Sequence, residues 1–156
     1  MKIEVGSLAP EFSLYSSEKE KISLSDYKGK NVVLLFFPLA FTGVCTKELC
    51  NVRDNIGIYN NSKAKVLAIS VDSPQTLARF KEDQQLNFPL LSDFNKVVSA
   101  EYGSLYETFS LDMLGVSKRS AFVIDGNGVV RYAEVLENAG NEPDYSAIEN
   151  ILESLN

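Results

Sequence analysis

Histidine is absent from all 156 residues, and so is tryptophan. Without imidazole there is no Ser-His-Asp or Cys-His catalysis, no imidazole general base and no His-ligated metal. Cysteine occurs twice, too few thiolates for a zinc or iron–sulfur site within one chain and too few for a disulfide framework. Cations are also in the minority: 15 Lys and Arg stand against 21 Asp and Glu, a net −6 at pH 7. That balance argues against nucleic acid as a partner, because such binding is driven by counterions displaced around cationic patches. The longest apolar run, Val32 to Phe41, is broken by Pro38 and falls short of the ~20 residues of a membrane span, so no membrane partner is expected. The opening Met1-Lys2-Ile3-Glu4-Val5-Gly6 carries neither the apolar segment nor the small-residue cleavage site of a secretion signal. The expectation is a soluble, cytoplasmic protein in a reducing compartment. Its catalysis would rest on carboxylate, lysine, tyrosine or thiolate.

What is present is ordinary globule composition, 45% hydrophobic and 23% charged, in a length that fits one domain over 1–156. Such a chain hides roughly 68–70% of its unfolded surface and needs no crosslinks. Val5 to Leu14 reads as an extended lead-in, and Ser23 to Gly29 as a helical turn stopped by glycine. Asn31 to Phe37 is almost continuously apolar and β-prone, the pattern of a strand buried on both faces. Leu49, Val52, Ile56 and Tyr59 recur every three or four positions, the stripe of an amphipathic helix. Lys65 to Val71 is a second buried strand, after which Ser73-Pro74 supplies an N-cap and N1 proline for a helix to about Gln85. Pro89 to Leu91 is a short strand and Lys96 to Tyr102 a short helix ended by Gly103, while Ser104 to Ser117 has no assignable pattern. Ser120 to Ile124 and Val129 to Val135 flank Asp125-Gly126-Asn127-Gly128, a strong hairpin signal. The hairpin also accounts for a Gly-x-Gly that before a helix would suggest phosphate binding. A helix from about Asp144 closes the chain, with Tyr145, Ile148, Ile151, Leu152 and Leu155 on one face. The order predicts an α/β fold, an open sheet flanked by helices with an antiparallel pair at its end.

In such sheets ligands gather at the carboxyl ends of strands, where the next helix begins. After Phe37 comes Pro38-Leu39-Ala40-Phe41-Thr42-Gly43-Val44-Cys45-Thr46-Lys47-Glu48-Leu49-Cys50. Cys45 therefore falls at the N-terminus of a helix leaving a central strand. Unpaired backbone N–H groups there carry partial positive charge and favour thiolate, the nucleophile, over thiol. A small buried hydrophobe is the commoner fate of a cytosolic cysteine. The strand-end position, the Thr42 hydroxyl three residues earlier and Pro38 closing the strand turn the reading towards a reactive one.

Pro38-x-x-x-Thr42-x-x-Cys45 resembles the active-site signature of the peroxiredoxins, thiol peroxidases on a thioredoxin-like fold. The resemblance covers nearly the whole chain. Val5-Gly6-Ser7-Leu8-Ala9-Pro10-Glu11-Phe12-Ser13-Leu14 is similar to the family's N-terminal segment, and Phe88-Pro89-Leu90-Leu91-Ser92-Asp93 to its middle strand. Lys118-Arg119-Ser120-Ala121-Phe122-Val123-Ile124-Asp125 resembles the segment that brings the family's active-site arginine. The resemblance implies Cys45 as peroxidatic cysteine, Thr42 as hydrogen-bond partner of thiolate and peroxide, Pro38 as shield of the pocket, and Arg119 as the cation polarising the reacting oxygens. The chemistry agrees, since thiolate attack on an O–O bond drives negative charge onto the leaving oxygen. Preorganised donors aimed at that charge are usually the largest contribution to rate, and a guanidinium cannot lose its proton. Glu48, one turn beyond Cys45, pairs with Arg119 or Lys47, or is simply a favourable helix-start carboxylate. Lys47 and Arg53 read as solvated helix charges, and Phe36, Phe37 and Phe41 as core and pocket wall. No metal, haem or flavin cofactor is implied.

A Cys45 sulfenic acid would condense with a thiol to a disulfide, and Cys50 is the only internal candidate. On an intact helix five residues rise ~7.5 Å and turn about 140°, beyond the ~7 Å Cα separation a disulfide tolerates. A Cys45–Cys50 bond therefore requires the first turns to unwind, and Gly57 lies too far along to weaken them. The spacing resembles the Q-type, or bacterioferritin-comigratory, peroxiredoxins. Phe41-Thr42-Gly43-Val44-Cys45 and Val116-Ser117-Lys118-Arg119 are closer to the one-cysteine AhpE-like members. No Cys follows position 50, which excludes a resolving cysteine C-terminal to it within these residues. Two routes stay open: Cys50 resolves Cys45 and a thioredoxin-like dithiol reduces the disulfide, or Cys50 is a buried helix residue and an external thiol does the resolving. Rival readings are a disulfide carrier, weakened by Cys-x-x-x-x-Cys in place of Cys-x-x-Cys, and a non-catalytic binding module on a thioredoxin-like core. The expected partners are a peroxide and a thiol reductant, in a monomer or homodimer.

Overall fold

A computed structural model describes residues 2–156. Strands β1 (Ser13–Ser16) and β2 (Lys21–Ser23) form an antiparallel hairpin, and a one-turn 3-10 helix follows at Leu24–Tyr27. Then come β3 (Asn31–Phe36), α1 (Gly43–Asp54), α2 (Ile56–Asn61), β4 (Ala64–Ser70), α3 (Pro74–Gln84), β5 (Leu90–Ser92) and α4 (Val97–Glu101). A second 3-10 turn at Ser110–Asp112 leads to β6 (Ser120–Ile124), β7 (Val130–Val135) and α5 (Tyr145–Ser154). The strands build one seven-stranded sheet in the order β2-β1-β5-β4-β3-β6-β7. Its middle, β3, β4 and β5, is parallel, and the remaining neighbours are antiparallel. This is the α/β, thioredoxin-like arrangement, with the β6–β7 hairpin closing one edge.

Alternation along β3 divides the interior into two layers. Val33 and Leu35, with Phe37 just beyond the strand, face Cys45, Leu49 and Val52 of α1, Leu77 and Phe80 of α3, and Ile148 and Leu152 of α5. Val32, Leu34 and Phe36 face the other way, onto Phe12, Leu24, Val98 and Tyr102. A strand covered on both sides explains the unbroken apolar run, since no position has a solvent face to make polar. Ser73 accepts from the Thr76 N–H at 3.1 Å and Pro74 opens α3, while Asp144 accepts from the Ala147 N–H at 3.0 Å at the start of α5. Both starts coincide with the sequence expectation. Among the described residues no helix is long and apolar enough to cross a membrane.

Two departures have physical causes. Part of the extended lead-in is a strand: β1 pairs with both β2 and β5. Its partner β2 is three residues long with none of them buried, so neither carries the apolar run that marks buried strands. The helix expected through Leu49, Val52, Ile56 and Tyr59 breaks at Asn55, whose side-chain amide donates to the Asn51 carbonyl at 2.8 Å and competes with the backbone ladder. The unassigned Ser104–Ser117 stretch is an irregular excursion closed by isolated bridges between Leu105 and Ser117 and between Thr108 and Leu114.

Candidate active site

The register of β3 and β6 sets Phe36 opposite Ser120. Arg119, the residue before β6, thus stands beside the C-terminal end of β3, where the chain turns into α1. Thr42 is the N-cap of that helix and Cys45 its third residue. Cys45 is 1% exposed and faces the layer formed by Phe37, Leu49 and Leu77.

Arg119 is 2% exposed and uses its whole fork. Nη2 donates to Cys45 Sγ at 3.3 Å and to the Ala139 carbonyl at 2.9 Å. Nε donates to the same carbonyl at 3.1 Å, and Nη1 to Glu48 Oε1 at 2.6 Å. Of the alternatives for Glu48, the one observed is the pair with Arg119; Lys47 pairs instead with Glu142 at 3.2 Å. Burial opposes the charge on Arg119, yet the Glu48 carboxylate and the Cys45 sulfur outweigh it and hold the guanidinium above its ordinary pKa. The cation is therefore fixed in place beside a sulfur in the buried interior, where a dipole or charge acts most strongly.

Residues 5–133 match the AhpC/TSA family. The chain belongs to that family. Alkyl hydroperoxide reductase E of Mycobacterium tuberculosis is 40% identical over 136 residues, which is 85% of this chain and 86% of that one. Peroxiredoxin Bcp of Escherichia coli is 36% identical over 131 residues, 83% of this chain and 84% of its own. Among solved structures, peroxidoxin BcpB from Mycobacterium tuberculosis superposes with a TM-score of 0.87 at 29% identity, covering 99% of each chain. The protein is accordingly a peroxiredoxin, a peroxidase among the oxidoreductases.

In this peroxiredoxin Pro38 is buried at the end of β3. Thr42 departs from the expected bond to sulfur: its hydroxyl donates to the Leu39 carbonyl at 2.7 Å, which commits its proton and leaves its lone pairs to accept. Cys50 lies two turns into the family's site helix but on another side of it, with Sγ donating to Gln84 Oε1 of α3 at 3.4 Å. Both cysteines are free thiols. Arg53 is a tie between helices, donating to the Gln84 carbonyl at 2.5 Å as well as to Asp54, and not merely a solvated charge. Phe36 and Phe37 are core, but Phe41 is half-exposed, its ring 5.1 Å from that of Phe80.

One contributor had no sequence signal. The Ala139 carbonyl is a backbone group on a connecting segment, and nothing in residues 136–141 marks it. That segment is pinned from several sides, by Arg119 beneath, by Lys118 to Glu137 at 2.9 Å, and by the Tyr106 hydroxyl donating to the Leu136 and Glu137 carbonyls. Asp72, whose carboxylate accepts from the Ala40 N–H at 2.8 Å beside the site, was not singled out from the sequence although it carried a signal, its place just past the end of a buried parallel strand, where the same topological rule applies as for Cys45.

The second oxygen of Glu48, Oε2, is buried without a partner. Burial pushes the Glu48 carboxyl up from the ordinary 4.5 to about 7; Arg119 works against the rise by charge and hydrogen bond, and Glu142 and Glu134 add to it. The native state thus keeps a proton that the unfolded chain releases near pH 4.5. Its stabilisation is complete below that pH and is lost as the pH climbs to about 7. Glu48→Gln removes the titrating group. Urea midpoints of both proteins from pH 4.5 to 8 are expected to show wild type falling relative to the variant across that window, then running parallel. A constant gap would mean that Glu48 keeps its ordinary acidity.

Proposed function

We propose that Cys45 is the peroxidatic cysteine of a single thioredoxin-like domain over 1–156, which reduces hydrogen peroxide and small alkyl hydroperoxides. The observation that carries this is the Arg119 Nη2 donation to Cys45 Sγ at 3.3 Å inside the buried layer. The thiolate attacks the terminal oxygen, the O–O bond breaks, and Cys45 becomes a sulfenic acid while the alkoxide leaves and takes up a proton. Arg119 and the N–H groups at the start of α1 stabilise that leaving charge. Thr42, its own proton held by Leu39, accepts a hydrogen bond from the incoming peroxide, and Pro38 shields the sulfur from water.

Cys50 then condenses with the sulfenic acid, releasing water and forming a Cys45–Cys50 disulfide, which a thioredoxin-like dithiol reduces by exchange in the cytoplasm. The second reading has Cys50 as a helix residue and an external thiol as resolver. It is favoured by the engagement of Cys50 with Gln84 on α3, which must break before the two sulfurs meet. Intact mass after one equivalent of hydrogen peroxide separates the two. Loss of two hydrogens is expected for the internal disulfide, and gain of one oxygen marks a sulfenic acid waiting for an external thiol. Cys50→Ser is expected to preserve the first attack and to accumulate a species trapped by a dimedone-type probe. Full turnover of Cys50→Ser with a dithiol donor would remove the internal disulfide from the cycle.

A further inference from the structure

We infer that Asp72 is a positioning residue for the peroxidase reaction, orienting the Thr42 hydroxyl through the Leu39–Ala40 peptide group. The inference rests on the role proposed above for Thr42.

Asp72 lies just past the C-terminal end of β4, next to the end of β3. Its carboxylate Oδ2 accepts from the Ala40 N–H at 2.8 Å. On the other side of the same peptide, the Leu39 carbonyl accepts from the Thr42 hydroxyl at 2.7 Å. An amide is planar, so fixing the direction of its N–H fixes the direction of its C=O. A carboxylate pulling on the N–H also polarises the amide and strengthens what the oxygen accepts. Asp72 therefore sets where the Thr42 hydroxyl points without touching it or the sulfur.

Asp72 is itself tightly held. The Ser70 hydroxyl donates to Oδ2 at 2.6 Å, the Asp72 N–H donates to Ser70 Oγ at 3.2 Å, and the Ser92 hydroxyl donates to the Asp72 carbonyl at 2.6 Å. Between the gripped peptide and Thr42 sits Phe41 at φ +66°, a conformation that a bulky L-residue holds only when its surroundings enforce it. The Asp72 bond to Ala40 is the tie directly before that residue.

The test is the second-order rate of sulfenic acid formation with hydrogen peroxide, followed by stopped flow in the reduced full-length protein. Thr42→Val is expected to slow this step. Asp72→Ala is expected to slow it by about tenfold, as for a lost charge-assisted hydrogen bond. Asp72→Asn, which retains an acceptor for the Ala40 N–H, is expected to stay within about threefold of wild type. In the Thr42→Val background Asp72→Ala is expected to add less than about twofold, because both act on one group. Thr42→Val at the wild-type rate would sink the Thr42 assignment together with this inference. A slow Thr42→Val combined with an unaffected Asp72→Ala, or with effects that multiply, would sink the inference alone. Should Asp72→Ala fail to fold, Ser70→Ala loosens the same carboxylate and enters the same cycle, with a smaller effect and the same non-additivity expected.

Discussion

Serine in place of Cys45 is expected to end peroxide turnover while leaving the fold standing. The two side chains differ by one atom, and a serine hydroxyl can still accept from Arg119 Nη2, the bond that Sγ now receives at 3.3 Å. The fold should therefore lose only about 1 kcal/mol, the centre of the range for single substitutions. The chemistry fares differently. A hydroxyl becomes a competent nucleophile only beside a general base, and a chain with no histidine offers no imidazole for that role. The one carboxylate in the site, Glu48, bonds Arg119 through its Oε1. Peroxide consumption with a dithiol donor, measured beside a thermal melt, is the check. Turnover that survives in a folded Cys45→Ser protein would place the nucleophile elsewhere.

Arg119→Ala is expected to carry two separable penalties. The first is kinetic: losing a fixed donor aimed at the leaving charge costs about 3 kcal/mol, or roughly a hundredfold in the first step. The second is structural, because removing one member of a buried pair strands the other, with a typical cost of about 3–5 kcal/mol. Glu48 is 0% exposed and already has one oxygen without a partner. With the guanidinium gone it escapes by holding its proton, so the loss of stability should be small at acid pH and grow as the pH rises. Arg119→Lys separates the two effects. An ammonium keeps the charge near Glu48 but cannot also span Cys45 and the Ala139 carbonyl, which takes the planar fork. Lysine should thus restore more stability than rate. Equal recovery of both, or a wild-type first step in Arg119→Ala, would remove the guanidinium from the reaction.

Much of this molecule is written in local pattern. Asn31 to Phe37 had to be a fully covered strand, Ser73-Pro74 had to open a helix, and Asp125 to Gly128 had to turn a hairpin, because each rests on residue chemistry acting over a few positions. The neighbourhood of Cys45 was legible for the same reason: a strand end, a helix start and a threonine lie within one short segment. What could not be read was held by distant parts of the chain. Glu48 had three plausible fates, and only the pairing of β6 with β3 chose Arg119 among them. The Ala139 carbonyl has no side-chain identity to read. Thr42 was expected to reach the sulfur, and it turns to Leu39 because Asp72, thirty residues on, holds that peptide.

Lys118 and Arg119 are adjacent cations sent in opposite directions, one to Glu137 at the surface and the other to Glu48 and Cys45 inside. Which goes where depends on nothing near either of them but on how β6 is zipped to β3. A slip of one rung would turn every side chain over, delivering the ammonium inward and the guanidinium to water. The reactive pair is therefore only as trustworthy as the hydrophobic ladder of Val33, Leu35, Ala121 and Val123 that forbids the slip. Core substitutions far from the sulfur can cost it its partner without altering a single atom it touches.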